Sequence, residues 1–91
     1  MAYRFTVTKT YNYHGYPEAE RHYEIKGEYF TAKLKYFGNH GWDAPEVNCR
    51  SRNNGYFWSL HRFMKALYGR KLDSYFYNLK ENESTTFTIE D

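Results

Sequence analysis

A chain of 91 residues with a single cysteine makes one domain and allows no internal disulfide. Eleven Tyr, seven Phe and two Trp stand against five Leu, two Ile and two Val, so rings must build the core and several rings must stay exposed. No stretch approaches the ~18 apolar residues of a membrane span, the opening MAYRFTVTKT lacks the apolar core of a secretory signal, and the net charge is only +2.

Residues 3–11 alternate. Tyr3, Phe5, Val7, Lys9 and Tyr11 lie on one side and Arg4, Thr6, Thr8 and Thr10 on the other, which predicts a half-buried strand. Residues 12–18 form a loop punctuated by Gly15 and Pro17. Residues 21–26 and 29–37 alternate again, and the intervening Gly27-Glu28 suits a two-residue type II′ hairpin turn. Phe30, Leu34 and Phe37 also fit helical spacing, but the alternation of Lys33 and Lys35 with apolar residues favours strand. Two glycines and a proline make 38–45 a loop.

A short strand follows at 46–52, with Val47, Cys49 and Ser51 opposite Asn48, Arg50 and Arg52. Residues 53–55, Asn-Asn-Gly, form a turn that offers an asparagine N-cap. The strongest helix spans 56–68. Its i, i+3, i+4, i+7 spacing puts Phe57, Leu60, His61, Met64, Leu67 and Tyr68 in one stripe expected to face the core, and Gly69 is the expected C′ stop. A second helix begins at Asp73 or Ser74, with Leu72, Phe76 and Leu79 inward, and 84–91 alternates as a last strand. Strands and helices are segregated along the chain. The fold class is therefore α+β: an antiparallel sheet of four to five strands, one face (Phe5, Val7, Ile25, Leu34) covered by one or two helices. The opposite face should carry Arg4, Thr6, Thr8, Lys26, Thr31, Lys33 and Lys35, and an exposed terminal strand would permit a homodimer.

Charge is segregated. Residues 1–28 hold four basic and four acidic residues, 29–71 hold eight and two, and 72–91 hold one and five. The middle is basic and aromatic, the tail acidic, a pattern that suits an anionic partner or an internal match.

Catalytic and metal motifs are not found. Cys49 and His61 are the nucleophile–base pair to test, with Asp43 or Asn48 as orienter, but no local motif surrounds them and His61 falls in the expected core stripe. His40, Asp43, Cys49 and His61 lack the short paired spacing of a zinc site, His14 and His22 are eight apart, and Gly-Asn-His-Gly-Trp is no phosphate loop. The sequence thus calls for no enzyme, no metal and no cofactor.

Binding remains. Lys33, Lys35, Trp42, Arg50 and Arg52 combine cations with a ring, and Tyr56, Trp58, Arg62 and Lys65 extend this onto the helix. Exposed Tyr and Trp flanked by Arg are typical of protein interfaces, so another protein with an acidic patch is the expected partner. In size and composition the chain is similar to small phage proteins that inhibit host enzymes or defence complexes; no motif carries that analogy. The alternative is nucleic acid, with rings stacking on bases and cations following phosphates across 29–71, although a charge of +2 is low for phosphate neutralisation. The free cysteine suits a reducing cytoplasm, that of the host for a phage-encoded chain.

Overall fold

The computed structural model describes residues 2–15 and 19–90. Pro17 of the expected first loop and Asp91 of the expected last strand lie outside them. The chain forms β1 (Ala2–Tyr13), β2 (Glu20–Gly27), β3 (Thr31–Phe37), β4 (Gly41–Trp42), β5 (Glu46–Asn48), α1 (Asn54–Tyr68), α2 (Asp73–Tyr77) and β6 (Ser84–Glu90). The sheet runs β4-β3-β2-β1-β6, with β5 also on β3, and every pairing is antiparallel. The α+β class and the segregated order hold. One short strand, β4, occupies part of the expected 38–45 loop, and β5 ends before Arg50 and Arg52. Both β4 and β5 pair with β3 in the same sense, one after the other, as one lane interrupted at 43–45. Pro45 sits in that gap, where its missing N–H breaks the ladder.

Alternation assigns the faces as the pattern implies. Tyr3, Phe5, Val7, Tyr23, Ile25, Ala32 and Leu34 are buried, while Arg4, Lys26, Thr31, Lys33 and Lys35 are exposed. On the open face Thr6 bonds Thr86 at 3.3 Å and Thr8 bonds Ser84 at 2.6 Å, tying β1 to β6. Beyond Lys9 the register slips at a bulge at Thr10. One extra residue flips every later side chain. Tyr11 therefore moves to the open face, against the simple alternation, and its ring meets His22 at 4.8 Å. Asn12, Arg21 and Tyr36 now form the cross-strand row on the helix face.

Two turns also depart from their sequence reading. The β2–β3 connection is a four-residue turn closed by the Gly27 N–H on the Phe30 carbonyl (2.9 Å), with Lys26 opposite Thr31. Gly27 is not a II′ glycine, since among the described glycines the one with positive φ is Gly41. It is required by close approach instead: a Cβ there would lie 2.7 Å from the ring of Phe5, its cross-strand neighbour. At the end of α1, Arg70 rather than Gly69 takes the left-handed C′ position (φ 60°). The Arg70 and Lys71 N–H groups close on the Leu67 and Ala66 carbonyls at 3.1 and 3.0 Å.

The helix start is as read: Asn53 accepts the Tyr56 N–H at 2.9 Å. The buried stripe of α1 is so in part, at Leu67 with Leu60 and Met64 packed against the core. Tyr56, Ser59, Phe63, Ala66 and Leu67 face the sheet; Leu60 and Met64 flank them; Phe57, His61 and Tyr68 point outward. Phe63 packs between Phe5 and Phe30 at 5.3 and 5.8 Å, and the small Ser59 and Ala66 let the helix come close enough for it. Leu72, Phe76 and Leu79 are buried as expected, with Phe76 stacked on Tyr23 at 5.0 Å.

Phe5 touches Phe30, Phe63 and Phe87 at 5.3–5.6 Å, so it joins three strands or turns to α1. Phe5→Ala should lower stability by about 3–5 kcal/mol, read as a shift of the urea midpoint. Gly27→Ala should cost about 1–3 kcal/mol by driving a methyl into the same ring.

Candidate functional site

The nine residues nominated for binding do not form one surface. Lys33 and Lys35 stand on the open sheet face, whereas Trp58 and Lys65 stand on the outer side of α1, across the domain. Lys33 is flanked across the strands by Glu24 and Glu46, and Lys35 by His22. Acidic neighbours of this kind offset the lysine charge that a phosphate backbone would meet. Past the bulge, however, the half-exposed Tyr11 and Tyr13 join His22, Lys35 and Phe37 on this face.

Trp42 and Tyr56 are not exposed anchors. Tyr56 is 8% exposed and meets Phe30 edge-on at 6.3 Å. Trp42 is half-buried on the helix side of the sheet, within 5.1–5.7 Å of Tyr23, Tyr36 and Phe76. A short strand, absent from the loop reading, turns its ring inward.

Arg50 and Arg52 are exposed in the segment leading to α1. Trp58 is 54% exposed, its ring carries the Arg62 guanidinium at 5.8 Å, and His61 meets it edge-on at 6.4 Å. Phe57 (56%) and Tyr68 (55%) add to this face, with Leu60 and Met64 along its border. The stripe assigned from spacing to the core is therefore in large part an exposed apolar surface. It lies in a segment, 47–72, with six basic residues and no acidic one. Sequence signal for it did exist: α1 has apolar residues on more of its circumference than one stripe needs.

The groups weighed for chemistry are apart or already engaged. Cys49 borders a shallow cleft beside the 27–30 turn, while His61 is on the outer side of α1. Asp43 accepts from His40 Nε2 at 2.8 Å, and His40 Nδ1 lies 2.7 Å from Asn39 Oδ1. Among the described residues, no three His, Cys, Asp or Glu side chains cluster as a metal would need, and no helix is long and apolar enough to cross a membrane. Among the described residues β6 pairs within the sheet with β1 and forms the sheet's edge.

Two buried polar groups sit beside one another at the far end of the core. Lys9 is 3% exposed, with Nζ 5.6 Å from the Tyr23 ring centroid. Burial, and then the Arg21 charge, hold its ammonium below the usual 10.5, against the pull of Glu83. Tyr23 donates to the Phe76 carbonyl at 3.2 Å, and its hydroxyl is pushed up to about 12, chiefly by burial.

Compared with protein-family models, with curated proteins and with solved structures, the chain shows no significant match.

The signs of these shifts differ. Protonated Lys9 is disfavoured in the fold, so its contribution to stability improves as pH rises toward 10.5. Neutral Tyr23 is favoured in the fold, so its contribution is complete below the ordinary value of 10.0 and is lost as pH rises to about 12. The Tyr23 loss should reach about 2–3 kcal/mol, and denaturant unfolding across this range should show it in the wild type and not in Tyr23→Phe.

Proposed function

We propose that the chain is a non-enzymatic protein-binding domain that docks through the outer face of α1. The observation that carries this reading is the set of Phe57, Trp58 and Tyr68, each more than half exposed on one helix, in a stretch with six cations and no acid. Large rings bind at little entropic cost, and cations at the rim select the partner and steer its approach. The surface calls for a protein with an apolar centre and acidic surroundings. Arg50, Arg52 and Lys65 would meet those acids, and the acidic residues after 72 lie outside the segment. In the phage-type role, such docking covers a functional surface of a host enzyme or defence complex.

A second reading rests on the other side of the sheet. Tyr11, Tyr13, His22 and Lys35 offer rings and cations to a single-stranded nucleic acid, with Glu20 and Glu24 in the same patch weakening the attraction. Capture from a host lysate with and without nuclease separates the two. The protein-binding reading expects a stoichiometric protein retained after nuclease, and that purified protein should lose about 10-fold or more in affinity with Trp58→Ala or Phe57→Ala. Lys33→Ala should change it by less than about 2-fold. Material lost on nuclease treatment, with a steep fall of affinity in salt, selects the other reading.

A further inference from the structure

Beyond this surface lies a cavity of about 260 Å³ where β2, β3 and β4 meet the end of α1 and α2. Its walls are rings: Tyr36 and Trp42 from the sheet, Tyr68 from α1 and Tyr77 from α2. The Arg21 guanidinium lies over two of them, 4.4 Å from the Tyr36 centroid and 4.8 Å from that of Tyr77. Aromatic boxes usually hold a ligand cation. Here the protein's own cation already occupies that position. At the mouth, Arg70 donates to Asp73 at 3.0 Å, which leaves the lining with one net positive charge.

A guanidinium held against ring faces binds an anion through its edges, and an edge with Nε–H and Nη–H side by side matches two oxygens of a carboxylate or phosphate. Arg21 lines this cavity, and its Nε, sealed from water, has no hydrogen-bond partner among the described residues. A buried donor left so calls for an acceptor. Volume sets the size of the molecule that would bring one: cavities for drug-sized ligands span roughly 300–1,000 Å³, so this one suits a single ring or a small fused ring with its acid group.

We infer that the Arg21–Tyr36–Trp42–Tyr77 cavity binds a small flat-ring anion, its carboxylate or phosphate on Arg21 and its ring against Trp42. Tyr68 borders both this cavity and the helix face proposed for protein docking, but the cavity's other walls lie off that face, and the inference does not rest on that face having a partner.

The two tryptophans separate the sites, since Trp42 lines the cavity and Trp58 lies out on α1. Indole-3-carboxylate and phenyl phosphate, each titrated into nitrogen-15-labelled protein, test the two acid groups, with tryptamine as the cationic counterpart. The expected result is saturable movement of the Trp42 indole N–H signal alone, assigned with Trp58→Phe, with a Kd of roughly 0.1–1 mM for at least one anion. Tryptamine should leave it in place. Arg21→Lys keeps the charge but loses the fork, so it should weaken binding about 10-fold. Arg70→Ala, at the exposed mouth, should weaken it about 2–3-fold and serves if Arg21 variants fail to fold. The proposal is overturned if neither anion gives a saturable shift, if both tryptophan signals move alike, if tryptamine binds as well, or if a folded Arg21→Lys binds undiminished.

Discussion

Phe5 is the contact on which the other layers depend. With so few aliphatic side chains, the core is a tiling of rings, and Phe5 sits where three of them converge. Its ring needs room on both sides along the sheet. On β2 that room is Gly27, which leaves the ring uncovered by any Cβ; on β6 it is filled by Phe87, stacked at 5.6 Å. Above it comes Phe63. Ring-on-ring packing of this kind is direction-dependent, with offset and edge-on contacts preferred, so the position of Phe5 constrains how α1 may rotate about its axis.

That constraint has a surface consequence. To seat Phe63, α1 turns Ser59 and Ala66 toward the sheet and so turns Phe57, Trp58, His61 and Tyr68 away from it. The exposed face offered for docking is thus the complement of the core's demand for small residues at close approach. Ser59 is accommodated because its hydroxyl donates to the Tyr56 carbonyl at 3.2 Å, leaving no buried donor unpaired there.

At the other end of the sheet the same scarcity of aliphatics is met differently. Lys9 and Arg21 enter the helix side of the sheet and are held over ring faces: Tyr23 for Lys9, Tyr36 and Tyr77 for Arg21. The bulge at Thr10 makes room beside Arg21, since it brings Asn12 rather than the ring of Tyr11 opposite it. Apolar core on one side of the bulge becomes a cation-and-ring layer on the other, and the layer does not close: the cavity by Trp42 is what remains.

Local chemistry alone decided much of the fold. Clean alternation marked β1 through Lys9, both strands of the β2–β3 hairpin and β6; Asn53 marked the start of α1; Phe76 marked the inner side of α2, with Leu72 and Leu79 buried on either side of it. These are period-two or nearest-turn effects, legible from residues close in sequence. Tertiary structure decided the rest. A helix rich in rings around most of its girth offers two stripes about a residue apart, and only the shape of the sheet beneath chooses Tyr56–Ser59–Phe63 over Phe57–His61–Tyr68. A bulge changes the face of every residue after it in its strand without a glycine or proline to announce it, which hid the move of Tyr11 to the open face and of Asn12 to the Arg21–Tyr36 row. Gly27 and Arg70 show the same limit: what each position demands is set by Phe5 across the strand and by the closing turn of α1, contacts that no local pattern contains.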